Sequence, residues 1–189
     1  MNHSDLGRNE KMTAFAGSVA SFRLPRWEQI PTLGLYMDQV VTVIEKALSP
    51  VLGYNGEAFI TSSMINNYVK LGIVGKPEKK KYSREHIAGL IVITVLKQSL
   101  AIGDVRLGID TVVSGGDRGA SYDSFCDYVE RALHTVAEGL LQSEENAEVR
   151  FAFASQDSMI TMAACSFAAK IFAAKMLSVI REDEENTRD

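Results

Sequence analysis

The chain has 189 residues, of which 46% are hydrophobic and 23% are charged, with four prolines and two cysteines. This length and composition suit one domain, or two small ones, with a buried core, and they exclude a fully disordered or fibrous chain. The formal net charge is −4, which taken alone predicts poor affinity for nucleic acid.

The first 22 residues are polar or small and show no sustained period, so we expect a frayed, flexible lead-in. Residues 24–31, LPRWEQIP, enclose the only tryptophan between prolines and predict an ordered loop anchored by Trp27. Residues 35–48 then repeat apolar letters with the helical period, which predicts an amphipathic helix. The following SPVLGYNG contains a proline and two glycines and predicts a break in that helix.

A shorter helix is predicted over residues 62–71. Thr61, Ser62 and Ser63 offer N-cap oxygens, and Gly72 stands where a left-handed residue closes a helix. The apolar letters follow the 3.6-residue period and leave a polar stripe on the other face. The stripe consists of Ser63, Asn66, Asn67 and Lys70.

Residues 73–81 predict a loop or a small hairpin. Ser83 then caps a helix whose centre is apolar nearly all round, as in the core helix of a domain, and an amphipathic helix follows at about 102–113. Residues 114–120 are glycine-rich and predict a linker, rather than a phosphate or metal loop, before a helical hairpin at 121–181 and an acidic tail at 182–189. Within the hairpin, residues 149–154 are a weak strand or an extended linker. The predicted fold class is all-α.

The sequence lacks the usual signs of an enzyme or a membrane protein. His3, His86 and His134 lie in different elements without a nearby second ligand, and no catalytic or nucleotide-binding motif occurs, so we expect no catalysis and no cofactor or metal. We interpret Cys126 and Cys165 as buried small hydrophobes in a reducing cytoplasm, with a redox or soft-metal sensor as the alternative. Neither a secretory signal nor a lysine-free apolar span is present, so we expect a cytoplasmic protein.

Positive charge is concentrated between residues 61 and 86. Six basic against two acidic side chains give this segment a charge of +4, so the remainder of the chain carries −8. An isolated lysine run is usually only a solvated loop. Here the run follows a helix with exposed amides, and lysines that neutralise phosphates beside amides that pair with base edges are typical of DNA-binding surfaces.

The order of the letters adds a resemblance. INNYVKLGIV, then KKYSREHIAGLIVI and SLAIGDVRLGI, resembles the DNA-binding domain of MerR-type regulators over about residues 60–112. The resemblance implies a winged helix-turn-helix unit at 23–113, with a recognition helix, a wing ending at Tyr82 and Ser83, and a last helix from Ile102. The chain departs from that family in having Asn66 two positions before Tyr68, a shorter wing, and a dozen residues between the first two helices.

The longer segments LPRWEQIP, LYMDQVV, LSPVLG, ITSSMINNYVKLGIV and KKKYSREHIAGLIVI resemble the bacterial family catalogued as domain of unknown function 1836, over about residues 22–115. The residues expected to contact DNA are Ser63, Asn66, Asn67, Lys70, Lys79, Lys80, Lys81, Tyr82 and Arg84.

We therefore expect a MerR-like transcriptional regulator that places helix 62–71 in the major groove of double-stranded DNA. Alanines and methionines in the carboxy-terminal hairpin predict packing against the first unit or against a second copy, and we expect a homodimer, with the hairpin also able to sense a small-molecule effector. The alternative is a non-catalytic protein-interaction module that kept the fold, does not bind DNA, and turns its lysines toward an acidic partner.

Overall fold

The computed structural model describes residues 3–113, 116–142, 149–152 and 158–186. Within these ranges the protein consists of seven α-helices and two 3₁₀ turns, with no named β-strand, which confirms the all-α class. The helices are α1 (His3–Ala20), α2 (Met37–Leu52), α3 (Ser62–Lys70), α4 (Arg84–Leu96), α5 (Ile102–Val113), α6 (Arg118–Leu141) and α7 (Ser158–Asn186), and the 3₁₀ turns are Trp27–Gln29 and Gly53–Asn55.

Helix α4 is the central element. Its buried side chains lie on all sides, and it contacts α2, α5, α6 and α7. A helix that is apolar all round must be covered on every face, which is why the sequence prediction of a core helix is confirmed. The buried residues of the amino-terminal and carboxy-terminal halves belong to one hydrophobic cluster around it.

Helices α1, α6 and α7 pack together beside α4. The expected frayed lead-in is therefore wrong for residues 3–20, which form α1. Ala16 and Val19 of α1 are fully buried, and Phe15 packs edge-on against Phe172 of α7 with ring centroids 5.4 Å apart. The sequence signal was weak because the core-facing residues of α1 stand among many small and polar letters. They are Met12, Phe15, Ala16, Val19 and Ala20.

Helix α2 continues past the expected break. Pro50 lies inside its last turn, and the helix ends only at Leu52. Pro50 is exposed, so the carbonyl group that loses a partner there can turn to water. Val51 and Leu52 are buried, and their burial favours one further helical turn.

Residues 118–120 of the expected linker belong to α6, and residues 182–186 of the expected acidic tail belong to α7. The parts of these two predictions that concern residues 114–115 and 187–189 lie outside the described residues. Asp117 is the N-cap of α6, and its carboxylate accepts hydrogen bonds from the backbone N–H groups of Gly119 and Ala120 at 2.9 and 3.2 Å. At the other end, α7 runs to Asn186, and Glu182 accepts a hydrogen bond from Lys11 of α1 at 3.0 Å. That hydrogen bond lowers the pKa of Glu182.

Residues 22–27 are fastened to α6 by a buried carboxylate. Glu130 accepts a hydrogen bond from the backbone N–H of Leu24 at 2.8 Å and another from the Arg26 guanidinium at 3.0 Å, and the Arg23 guanidinium lies 3.6 Å away. We call this set of contacts the Glu130 clasp. It fixes the amino-terminal segment against the carboxy-terminal helices.

Two further contacts extend the clasp along α6. Asp123 accepts a hydrogen bond from the backbone N–H of Trp27 at 2.7 Å, and the hydroxyl of Tyr122 donates to the carbonyl of Pro25 at 2.9 Å. Trp27 then lies so close to Gly119 that a Cβ atom there would be 3.0 Å from the indole ring. The prediction that Trp27 anchors an ordered loop is confirmed.

By length and composition alone, helix α7 is long and apolar enough to span a membrane. However, 44% of its most apolar stretch is buried inside the protein. It also contributes Phe167, Ile171 and Phe172 to the core. Its Lys170 donates a hydrogen bond to the carbonyl of Gln98 at 2.9 Å.

We expect Glu130→Ala to lower the free energy of unfolding by about 3 kcal/mol, because it leaves the Leu24 N–H and the Arg26 guanidinium without their acceptor. Asp127→Ala is the matched control. Asp127 also pairs with Arg26, at 2.8 Å, but its side chain is 59% exposed against 6% for Glu130. Its loss should lower the free energy of unfolding by less than about 1 kcal/mol. Urea denaturation measures both, and equal losses would contradict the clasp.

Candidate nucleic-acid interface

Helix α3 is bounded by two local signals that the sequence contains. Thr61 is the N-cap, and its hydroxyl oxygen accepts a hydrogen bond from the N–H of Met64 at 3.2 Å. At the other end Gly72 has a φ of +69°, its N–H donates to Val69, and the N–H of Ile73 donates to the carbonyl of Tyr68. This pair of bonds is the Schellman motif, and both predicted ends of the helix are confirmed to within a residue.

One face of α3 is buried and the other is open to solvent. Ile65 and Tyr68 are buried in the core. The four residues of the predicted polar stripe are exposed, and they are Ser63, Asn66, Asn67 and Lys70. The hydroxyl, the two amides and the ammonium group therefore face outward from a helix whose other side is fixed.

A lysine that the sequence analysis did not single out holds α3 in place. Lys97, at the end of α4, donates a hydrogen bond to the carbonyl of Phe59 at 2.7 Å, and its Nζ lies 5.9 Å from the ring centroid of Tyr68. Burial, together with the nearby charge of Lys170, lowers the pKa of Lys97. The sequence could have predicted an internal role for Lys97, because it directly follows a run of apolar core residues. A cation that is partly buried there must find a hydrogen-bond partner.

The segment after α3 forms a tight hairpin. The N–H of Lys81 donates to the carbonyl of Glu78 at 2.8 Å, and these two residues form an antiparallel bridge. Lys79 and Lys80 lie between them with φ of +47° and +65°. Two successive positive φ values are the signature of a type I′ turn, in which Asn and Gly are the favoured residues. Of the loop and the small hairpin that the sequence left open, the structure shows the hairpin.

The base of this hairpin is tied to the segment before α2. The N–H of Leu35 donates to the carbonyl of Tyr82 at 2.9 Å, and the N–H of Tyr82 donates back at 2.8 Å. Gly34 allows the close approach, because a Cβ there would lie 3.0 Å from the Cβ of Lys81. Tyr82 itself is only 3% exposed, so the expectation that it contacts DNA is wrong. Its ring supports the hairpin from inside and packs edge-on against His86.

Arg84 also has an internal role. Its Nε donates to the carbonyl of Ile30 at 3.0 Å, its Nη1 donates to Glu28 at 3.1 Å, and its guanidinium lies 5.5 Å from the Trp27 ring centroid. The side chain is 15% exposed. These contacts hold the guanidinium within its own chain, so we leave Arg84 out of the surface described below.

The remaining basic side chains are exposed. Among the residues that the structure describes, these lysines form no salt bridge. Lys81 has its Nζ 5.4 Å from the ring centroid of Tyr36, which leaves the ammonium at the surface. We call Ser63, Asn66, Asn67, Lys70, Lys76, Lys79, Lys80 and Lys81 the basic face.

Other candidate sites from the sequence have structural roles. The Nε2 of His134 lies 2.9 Å from the carbonyl of Phe22, next to the Glu130 clasp. Burial raises the pKa of Cys126 to about 12 and also raises that of Cys165, which disfavours the reactive thiolate at neutral pH. Within the described ranges, no three His, Cys, Asp or Glu side chains converge as a metal site would require.

The fold and this surface define an all-α protein that presents a polar helix and a lysine-tipped hairpin side by side in sequence. The model of one protein family, domain of unknown function (DUF1836), matches residues 25–129. Because the match covers more than half of the chain, the protein belongs to this family, as the sequence resemblance indicated. Comparisons with curated proteins and with solved structures gave no match.

The family match extends beyond the unit predicted from the sequence. It begins at Pro25, inside the segment that the Glu130 clasp holds, and it ends at Val129, halfway along α6. The first turns of α6 therefore belong with the amino-terminal helices that they contact.

Replacing Lys80 by glycine tests the strain in the hairpin. Because glycine adopts positive φ without a steric penalty, we expect Lys80→Gly to raise the free energy of unfolding by about 1 kcal/mol. Lys76→Gly is the matched control. Lys76 is exposed and is not among the residues with positive φ, so the same change should lower stability slightly. Urea denaturation measures both values, and a loss of stability in Lys80→Gly would refute the turn geometry.

Proposed function

We propose that the protein is a DNA-binding transcriptional regulator with a MerR-like winged helix-turn-helix unit. Helix α3 enters the major groove, where Ser63, Asn66 and Asn67 contact base edges. Lys70, Lys79, Lys80 and Lys81 contact phosphates. This division follows the chemistry of protein–DNA recognition, in which amides can pair with adenine and lysines supply affinity that is independent of sequence.

The observation that carries the proposal is the strained turn that follows an exposed polar helix in the chain. Each residue held in the left-handed region lowers stability by about 1 kcal/mol or more unless it is glycine. The hairpin retains Lys79 and Lys80 at the two positions where Asn and Gly would be more stable. A sequence is expected to keep lysines at such unfavourable positions when their positive charges are needed for binding.

We propose in addition that the regulator is a cytoplasmic homodimer. Readers of duplex DNA with this type of motif pair symmetrically on two half-sites. Helices α5 and α7 carry apolar side chains that the chain leaves exposed, as a second copy would require. They are Leu107, Met159, Met162, Met176 and Leu177.

A protein partner is the second candidate for the basic face. Leu33 is 78% exposed, and Tyr36 and Leu71 are each about half exposed near the lysines. Apolar side chains among cations are typical of protein interfaces, where an acidic partner with an apolar patch would fit.

Fluorescence anisotropy of a random-sequence duplex, titrated at several salt concentrations, tests the DNA proposal. We expect binding at low salt that weakens steeply as salt rises. Changing Lys79 and Lys80 to alanine should flatten the slope of log affinity against log salt by roughly 2, because each lost phosphate contact contributes about 0.9.

The control carries the same loss of charge elsewhere. Lys175 and Arg181 of α7 are outside the basic face, and changing both to alanine should leave the slope unchanged. If both double variants flatten the slope equally, the interaction is a general charge effect and the proposed interface is refuted. Absence of binding at low salt refutes the DNA proposal and favours the protein partner.

A further inference from the structure

A cavity of about 350 Å³ is lined in part by the segment that joins α3 to the hairpin. Its walls come from residues 73–75 after α3, the first half of α4, Ile109 of α5, the first turns of α6, and Trp27. All of these residues fall inside the family match. The cavity is at the small end of the range that small-molecule sites occupy, which is roughly 300–1,000 Å³.

The walls of the cavity favour a flat ring. Trp27 and Tyr122 stand on one side with ring centroids 6.3 Å apart. Gly75 and Gly89 also line the cavity, and neither has a side chain to fill it. The space next to Gly89 is open, because no atom lies within 4 Å of the position that a Cβ on Gly89 would take. The lining is mainly apolar, so an apolar ring gains burial there.

A hydrogen-bond donor faces this space. The Nδ1 of His86 accepts a hydrogen bond from the backbone N–H of Ser83 at 3.0 Å, so the ring carries its hydrogen on Nε2. Nε2 lies against Gly75, 3.3 Å from where a Cβ would be. Among the described residues no acceptor bonds to it. An acceptor on a ligand would supply the missing partner.

A cation stands at the rim. Arg118 pairs with Glu85 across the mouth of the cavity, and both side chains are more than half exposed. An exposed ion pair contributes little to stability, so the guanidinium can turn one edge toward a carboxylate without a large penalty.

We propose that this cavity binds a planar aromatic carboxylate and that its occupancy regulates the basic face. The ring lies in the apolar part of the cavity beside Gly89, and the carboxylate accepts from His86 and Arg118. The regulatory part rests on the proposed function. It follows from Ile73, Val74 and Gly75, which line the cavity and also join the end of α3 to the hairpin. If this segment has two conformations, a ligand that binds one of them more tightly shifts the equilibrium toward that conformation. The size of the shift is set by the difference in affinity.

Binding itself is tested without DNA, by saturation-transfer NMR on 2-naphthoate with the full chain. We expect the wild type to bind it and Gly89→Leu to lose it, because a leucine at position 89 fills the cavity. Leucine is also the better helix former, so the variant should fold. Gly17→Leu, at an exposed and unobstructed position of α1, is the matched control and should still bind.

The polar contact is tested by replacing the hydrogen-bond donor of His86 with a carboxylate. Glutamate at position 86 can still accept the Ser83 N–H as a capping-box residue, so His86→Glu keeps the helix start while removing the donor. We expect it to reject 2-naphthoate and to prefer 2-naphthylmethylammonium, whereas the wild type shows the opposite preference. Equal binding of 2-naphthoate by the wild type, Gly89→Leu and His86→Glu, or no binding by the wild type, overturns the site.

Regulation is measured by the duplex titration repeated with saturating 2-naphthoate. We expect the DNA affinity of the wild type to change by about five-fold or more, and that of Gly89→Leu to stay constant. NMR binding without a change in DNA affinity overturns the regulatory part. A wild type that binds no DNA overturns the proposed function, while the NMR result alone decides the cavity.

Discussion

Burying the carboxylate of Glu130 removes it from water, which is unfavourable unless N–H donors and cations replace the lost hydration. The chain supplies them from residues 23–26, as the Leu24 N–H and the guanidinium groups of Arg23 and Arg26. Because these donors precede α2 in sequence and Glu130 lies on α6, the contacts close a loop of about a hundred residues that contains α2 to α5. The amino-terminal helices and the carboxy-terminal helices are thus held in one arrangement.

A series of contacts connects the Glu130 clasp to the hairpin of the basic face. The clasp sets the position of Trp27, whose ring meets Gly119 on one side and the guanidinium of Arg84 on another. Arg84 begins α4, and the residues just before it form the base of the hairpin. The same tryptophan forms a wall of the cavity. A rigid support of this kind is what a surface needs when its polar groups must meet a ligand in fixed geometry.

Sequence reasoning succeeded where the structure is determined locally. Thr61 and Gly72 identify the two ends of α3, because the N-cap and the Schellman motif each depend on a few neighbouring residues. The apolar period likewise identified α4 and α5 as helices. The exposed stripe on α3 followed from the same period.

Long-range contacts were the part that the sequence did not reveal. Tyr82 and Arg84 are polar residues in a basic segment, and only the arrangement of Leu35, Ile30 and Glu28 around them makes them internal. The left-handed turn at Lys79 and Lys80 had no signal, because it is built without the Asn or Gly that usually marks it. Helix α1 was missed since its apolar residues stand among small and polar letters, and their packing depends on partners far along the chain, such as Phe172 for Phe15.

The negative net charge is a poor guide to whether the protein can bind a polyanion, because it does not show which charges are paired in the fold. Several carboxylates of this acidic protein are engaged with cations inside the fold or along other surfaces: Asp127 and Glu130 with Arg26, Glu28 with Arg84, Glu85 with Arg118, and Glu182 with Lys11. Charges that are paired at close range contribute little to the field farther away. The lysines of the basic face have no salt-bridge partner among the described residues, so their charges are not neutralised at close range. Under the proposed function, a polyanion is attracted by these lysines within a Debye length, about 8 Å at physiological salt, on a protein whose total charge is negative.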